Sequence, residues 1–324
     1  MRRVVLVLSA ITLLLILGFS IGVMLGPADI ASHRLISAIF LGNDSIANVL
    51  VWDMRIPRVI SALVVGSCIG VSGFLLQSST RNPLGDPQLF GVTGGAAIVQ
   101  ALAMAGSIQL DAWSTTALSV VASLLGASII AFFASHQGLT PARLALIGVS
   151  LSALAAALAT GILAEAGVFS MQSLNFLGGS FANRGWKDIT PVLPYLAIGL
   201  ALTLIVIRNL RVLDLGDRVA ANLGAQPIRT RVISVAAAGI LGGAAVAVAG
   251  LIGFVGLIVP HIARLLVGHD LRSVLIIVVP LGAIVMLYAD QAARLIFMPS
   301  EVPVGLVTAI IGAPLMIYVA RRVL

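Results

Sequence analysis

The sequence has few of the residues on which soluble enzymes depend: only 10% of it is charged, and it holds one cysteine and one lysine. Cys68 lies in an apolar run, so neither a disulfide nor a cysteine metal cluster is available. A P-loop needs a glycine-rich loop ending in Lys and Ser or Thr, whereas Lys187 follows Gly185-Trp186. The four histidines lack metal-ligand spacing. We therefore predict no catalytic residue, no metal site and no cofactor in this chain.

Apolar residues are abundant instead, at 60% of the sequence with a mean hydropathy of +1.13. Soluble domains contain roughly 45–50%. The sequence predicts an all-α polytopic membrane protein, a single domain over 1–324, with ten apolar runs close to the ~20 residues that cross a bilayer. The eighth run contains Pro260 and is expected to be short or re-entrant. The ten predicted helices are 4–25, 57–77, 91–107, 114–134, 142–164, 189–207, 231–251, 254–268, 273–293 and 303–320.

The distribution of charge predicts the orientation of these helices. The net charge is +7, and with a cytoplasmic N-terminus thirteen of the nineteen Lys and Arg residues fall on the inner side. This is the distribution that the positive-inside rule describes. We therefore predict that both termini are cytoplasmic, and we attribute the positive charge to the membrane ends of helices rather than to nucleic-acid binding.

The largest polar segment is 208–231, which carries five arginines and two aspartates between two long apolar runs. Charge alone fits a solvated loop equally well. Val219 and Leu223, however, are four residues apart between Gly216 and Gly224, a pattern that predicts a short amphipathic helix with a glycine stop. Such a helix on the cytoplasmic side predicts a docking surface for a partner.

Ionisable residues are nearly absent from the apolar runs. An ion-coupled carrier usually places such residues at mid-membrane. Asp290 and Arg294 lie four residues apart near the end of the ninth helix and can pair with each other. The sequence therefore favours a pathway without its own energy source, while an ion-coupled secondary carrier and a membrane scaffold remain as alternatives.

Several separated motifs resemble those of FecCD-type permeases, the membrane subunits of bacterial ABC importers for iron–siderophores, haem and cobalamin. The motifs are Arg55-Ile56-Pro57-Arg58, Arg81-Asn82-Pro83-Leu84, 253–261, 301–305 and Gly312-Ala313-Pro314. The resemblance implies ten helices per subunit and a dimer of identical or related permease subunits in the bacterial inner membrane. It also implies two ATP-binding subunits, which bind the ATP and Mg, and a periplasmic substrate-binding protein.

The resemblance assigns roles within segment 208–231 and at the outer face. Asp217 to Gly224 matches the coupling helix that enters a cleft of the ATPase. The residues expected to couple to the ATPase are Asp217, Arg218, Ala221, Leu223 and Gly224.

On the outer face, Arg55, Arg58 and Arg294 match arginines that pair with glutamates of the binding protein. The alternative is local pairing, of Asp53 with Arg55 and of Asp290 with Arg294.

The resemblance also places an inner gate at two positions. Gln77, Asn82 and Leu84 are expected at the first, beside the Asn-Pro-Leu turn. The second is Thr140-Pro141-Ala142, where some relatives have small hydroxyl residues and only Thr140 keeps a hydroxyl. The expected cargo is a chelate rather than a bare metal ion, and a ferric siderophore is expected on family frequency, with haem and cobalamin as alternatives.

Overall fold

The computed structural model describes residues 2–26, 38, 45–135, 141–167, 171–298 and 300–323. Within these ranges the chain is helical and contains no β-strand. Ten apolar helices follow one another, which confirms the predicted number for the part of the chain that is described. They are α1 (Arg2–Met24), α2 (Ile56–Thr80), α3 (Gly94–Met104), α4 (Ala112–Ser135), α5 (Pro141–Glu165), α6 (Leu193–Leu213), α7 (Pro227–Ala249), α8 (Val255–Val267), α9 (Leu271–Leu295) and α10 (Val304–Val323).

The helix boundaries differ from the prediction mainly beside the polar segment. There α6 continues to Leu213 and α7 begins at Pro227, whereas the apolar runs end near 207 and begin again near 231. Arginine side chains have long apolar stems, so a helix can continue past the hydrocarbon while its guanidinium groups reach water. The predicted 24-residue polar connection is therefore shortened to 214–226.

Seven of the described helices are long and apolar enough to cross a membrane, and α3, α8 and the described apolar part of α10 are shorter. The 13 residues of α8 rise only about 20 Å, less than the ~30 Å hydrocarbon thickness. This confirms the expectation of a short eighth helix. Non-helical segments precede α3 and α8, at 81–93 and 250–254, and most of their residues are buried. Irregular backbone is tolerated at membrane depth when protein surrounds it.

Helix α2 lies at the centre of the molecule and packs against α7, α8 and α9. Glycines allow these close approaches. A Cβ atom on Gly66 would overlap the carbonyl oxygen of Gly282 in α9, and one on Gly73 would overlap that of Gly256 in α8. Small residues at helix crossings let backbones pack closely in lipid, where the hydrophobic effect does not drive association.

Short helices join the long ones at both ends of the bundle. Met171–Gly178 and Trp186–Ile189 lie between α5 and α6. The indole N–H of Trp186 donates to the carbonyl of Trp52 at 2.8 Å and ties this segment to the residues before α2. A π-helical turn, Val49–Arg55, leads directly into α2. These segments build the rim at the predicted outer end of the bundle.

Candidate functional site

A cavity of about 750 Å³ opens at the predicted outer end of the bundle. Its walls come from the start of α2, the end of α9, the Met171–Gly178 helix and the segment before α10. Its charged lining residues are Asp53, Arg55, Arg58, Arg184, Lys187, Arg294 and Glu301. The three arginines predicted to dock a binding protein therefore lie around one cavity, although they are 239 positions apart at the extremes of the sequence.

Arg58 lies at the junction of three elements. Its guanidinium donates to both carboxylate oxygens of Asp290, at 2.8 and 3.0 Å, and lies 2.9 Å from a carboxylate oxygen of Glu301. Asp290 is buried and Glu301 is partly exposed. A guanidinium that bridges two carboxylates in this way connects α2 with α9 and with the segment before α10.

Arg55 and Arg294 bind the end of α1. Arg55 donates to the carbonyls of Val23 and Met24 at 2.7 and 2.8 Å, and Arg294 donates to the carbonyl of Gly22 at 3.1 Å. The last carbonyls of a helix lack partners within it and carry partial negative charge, so cations stabilise them. Both arginines are buried, Arg294 with only 3% of its surface exposed.

The burial of these three arginines was not expected from the sequence. All three line the cavity, yet they are largely buried and bind groups of the same chain. The alternative of local pairing between Asp290 and Arg294 does not give the main contact of Asp290, because Asp290 accepts from Arg58 on α2. Spacing along one helix identified the carboxylate but could not identify the partner on a neighbouring helix.

Gln77 is buried at a junction beside the turn that follows α2. Its amide nitrogen donates to the carbonyls of Gly256 at 2.9 Å and Gly85 at 3.3 Å. Its amide oxygen accepts from Arg264 at 2.6 Å. Gln77 therefore fastens α2 to α8 and to the turn that follows α2, because an amide in an apolar interior must be fully hydrogen-bonded.

That turn, residues 81–85, is called the gate turn below. Asn82 is buried and its side-chain oxygen accepts from the backbone N–H of Leu84 at 2.9 Å, an Asx-type turn. Leu84 is exposed.

Of the second predicted gate, Thr140 lies outside the described residues, Pro141 is the first residue of α5, and Ala142 is exposed.

The predicted amphipathic helix is present as Asp217–Asn222, with Leu223 as its C-cap, and these seven residues are called the coupling helix below. Gly216 and Gly224 bound it with φ values of +111° and +81°, a backbone region open mainly to glycine. Arg218 and Ala221 are exposed, as are the apolar side chains of Val219 and Leu223, with Leu223 at 65%. Val219 and Leu223 of the coupling helix thus form an exposed apolar surface at the predicted cytoplasmic end.

Asp217, predicted as a contact for the ATPase, binds two arginines of its own chain. Its carboxylate lies 2.7 Å from Arg81 of the gate turn and 2.8 Å from Arg231 of α7. Arg81 also donates to the carbonyl of Leu213, at the end of α6. Sequence reasoning missed both arginines. The signal available was that Arg81 precedes the Asn-Pro-Leu turn and that Arg231 follows the coupling segment, but their convergence depends on the fold.

A multi-span helical bundle with a short apolar-faced helix between α6 and α7 and a charged cavity at the opposite end defines a membrane permease. The model of the FecCD transport family matches residues 13–322, and the chain belongs to that family.

Two relatives and one solved structure illustrate the similarity. The iron(3+)-hydroxamate import system permease protein FhuB of Bacillus subtilis is 38% identical over 98% of this chain and 83% of its own length. The ferric enterobactin transport system permease protein FepD of Escherichia coli is 36% identical over 96% of this chain and 93% of its own. A metal-chelate type ABC transporter solved in an inward-facing conformation has a TM-score of 0.82 at 28% identity, covering 97% of this chain and 98% of that one.

Proposed function

We propose that this chain is the membrane permease subunit of an ATP-driven importer that carries a ferric siderophore across the bacterial inner membrane, with both termini in the cytoplasm. The observation that carries the proposal is the coupling helix. Its Val219 and Leu223 side chains are apolar and exposed beyond the membrane-spanning helices, and burying apolar surface of this kind favours association with a partner.

The partner proposed for this surface is an ATP-binding subunit, which holds the ATP and Mg and hydrolyses the nucleotide. Two such subunits would bind a dimer of permease subunits, either two copies of this chain or this chain and a related one. Exposed apolar side chains on α5 and α10, including Leu146, Leu158, Ile310 and Ile311, supply surface for the second permease subunit or for lipid.

A periplasmic binding protein is the partner proposed for the outer end. We assign its docking to the outer cavity, with Arg55, Arg58 and Arg294 in the cavity wall and Lys187 at its rim. A glutamate entering this cavity would meet a lining in which basic side chains outnumber acidic ones. Arg–carboxylate contacts are directional and desolvated in such a site, which suits an oriented and reversible complex.

The proposed mechanism is alternating access. ATP binding closes the two ATP-binding subunits, the coupling helices move with them, and the gate turn at Asn82 and Leu84, with the segment 140–142, opens or closes the cytoplasmic end of the pathway. The cargo class follows the relatives named above, whose names specify ferric hydroxamate and ferric enterobactin. Haem and cobalamin are the alternative chelates.

The experiment that tests this function measures ATPase activity in lipid nanodiscs. The chain is co-expressed with its candidate ATP-binding subunit, and binding protein is added empty or loaded with a ferric hydroxamate, a ferric catecholate, haem or cobalamin. The expected result is stimulation by binding protein loaded with a ferric siderophore. Stimulation only by binding protein loaded with haem or cobalamin would contradict the assignment of a ferric siderophore as cargo. Failure to form a complex with any ATP-binding subunit would contradict the assignment of the chain as an importer subunit.

A further inference from the structure

We propose that Arg81 and Arg231 are positioning residues that transmit movement of the coupling helix to the gate turn, acting through Asp217. This inference rests on the proposed function and adds to it a physical connection between the ATPase-docking surface and the cytoplasmic gate. The connection consists of direct contacts between described residues.

The first step is the anchoring of the coupling helix. Asp217 is the first residue of that helix, and its Oδ1 accepts from Arg81 Nη2 at 2.7 Å and from Arg231 Nη2 at 2.8 Å, while its Oδ2 lies 2.8 Å from Arg231 Nη1. Arg231 thus binds the carboxylate with both terminal nitrogens of its guanidinium. Bidentate pairs of this kind are among the strong hydrogen-bonded ion pairs. Its Nε also donates to the carbonyl of Ser79, in the last turn of α2, at 3.1 Å.

The second step runs from Arg81 into the gate turn. The Arg81 side chain holds both Asp217 and the carbonyl of Leu213, so it spans the end of α6 and the start of the coupling helix. Its backbone leads directly to Asn82, which is buried and closes the turn through the N–H of Leu84. A displacement of Asp217 therefore acts directly on Arg81, the first residue of the gate turn.

The third step connects the gate turn to α8. The carbonyl of Gly85 accepts from Gln77, which also donates to Gly256 and accepts from Arg264. Buried hydrogen-bonded groups of this kind move together, because leaving any of them unpaired in the interior is costly. The gate turn is thus held on one side by α8 and on the other by the coupling helix through Arg81.

The backbone of Arg81 provides a way to test transmission separately from folding. Arg81 is the C-cap of α2 and has φ 51° and ψ 35°, in the left-handed region. That region is disfavoured for a residue with a Cβ atom and favours glycine. If Arg81 only ended the helix, glycine would serve at least as well. The arginine side chain is needed only if its contacts with Asp217 and Leu213 matter.

The test compares Arg81→Gly with Arg211→Ala in the reconstituted complex with ATP-binding subunits and binding protein. Arg211 pairs with Asp270 at 3.0 Å at the same end of the bundle. Among the described residues neither side chain forms a hydrogen bond or ion pair with the gate turn, so this variant is the matched control. We expect Arg81→Gly to assemble and hydrolyse ATP while ferric-siderophore uptake per ATP falls by roughly 2- to 30-fold, the range for substitutions that weaken coupling between sites. Arg211→Ala should keep the uptake-to-ATP ratio.

A second readout follows the gate turn itself. Cys68 is the single cysteine of the chain and is fully buried, so Leu84→Cys supplies one accessible thiol for a membrane-impermeant maleimide. We expect ATP with vanadate to change the labelling rate of Leu84→Cys, and this change to be lost when Arg81→Gly is added. The double variant Arg81→Gly/Asp217→Asn should lose less coupling than the sum of the two single variants, since Arg81 and Asp217 share a contact.

Each outcome decides between the two proposals. Wild-type uptake per ATP in Arg81→Gly, or an unchanged labelling response in that background, would overturn the transmission role and leave the proposed function standing. Absence of ATP-dependent uptake in the unsubstituted complex would overturn the proposed function, and this inference with it.

Discussion

Arg58 at the start of α2 and Asp290 near the end of α9 form a buried two-oxygen contact at 2.8 and 3.0 Å, across 232 residues of sequence. With Glu301 beside it, this contact holds together three elements that line the outer cavity. The pair therefore stabilises the same surface to which we assign binding-protein docking. Its effect on stability and the effect of this surface on docking can be separated by substitution.

The first prediction concerns this pair. Asp290→Asn should destabilise the subunit by about 3–5 kcal/mol, because it leaves Arg58 charged and partly uncompensated in a buried site. The measurement is thermal unfolding in detergent together with the yield of folded protein. Replacing both partners by apolar residues, Arg58→Met with Asp290→Leu, should cost clearly less. A double variant as unstable as the single one would show that the charge imbalance is not the cause.

The second prediction concerns docking. Arg294→Gln should weaken the affinity of the loaded binding protein by roughly tenfold or more, the lower range for loss of a desolvated charge partner. Arg184→Gln, at the same cavity but paired with Asp188 at 3.6 Å, is the control and should change affinity less. Binding is measured by surface plasmon resonance on nanodiscs, with unfolding temperatures compared in parallel. Equal affinities of the Arg294→Gln variant and the unsubstituted protein would remove Arg294 from the docking site.

The third prediction concerns the coupling helix. Leu223→Asp should reduce ATP-binding-subunit association by about tenfold or more, since it places an unpaired charge in an apolar contact, whereas Leu223→Met should retain it. Insertion and stability of the isolated permease should be unaffected, because Leu223 is exposed. Co-purification and uptake measure the effect. Normal uptake by Leu223→Asp would contradict the docking role of this helix.

The fourth prediction concerns helix packing. Gly66→Ala should destabilise the subunit by at least about 1–3 kcal/mol, because the added methyl group would overlap the Gly282 carbonyl and force α2 away from α9. Gly161→Ala in α5 is the matched control, since a Cβ there meets nothing within 4 Å. It should be neutral or stabilising by up to about 1 kcal/mol. Unfolding temperatures that move together in both variants would refute the close crossing.

The helices could be predicted from the sequence because each apolar run must satisfy its backbone hydrogen bonds within itself when it lies in lipid. The coupling helix could be located because Gly216 and Gly224 bound it. The partners of Arg55 and Asp217 could not be predicted. These partners lie on α1, on α7 and in the gate turn that follows α2, and they meet Arg55 and Asp217 only when the helices pack. A charge seen in sequence identifies a polar position, while its partner depends on which helices are neighbours.

The same limit explains why the burial of the arginines of the outer cavity was not predicted. Arg55 and Arg294 were recognised as cations outside the predicted inner face, but the sequence does not indicate that the carbonyls of Gly22, Val23 and Met24 end α1 beside them. These cations satisfy carbonyls that have no partner within their own helix.

The most direct test of the central claim is uptake of radiolabelled ferric siderophore into proteoliposomes that contain the permease with its ATP-binding subunits. Binding protein is supplied outside, and the vesicles are loaded with ATP, with a non-hydrolysable ATP analogue, or with buffer under an imposed proton or sodium gradient. The account predicts uptake only with hydrolysable ATP and binding protein. Uptake driven by the ion gradient without ATP would contradict it and identify the chain as a secondary carrier.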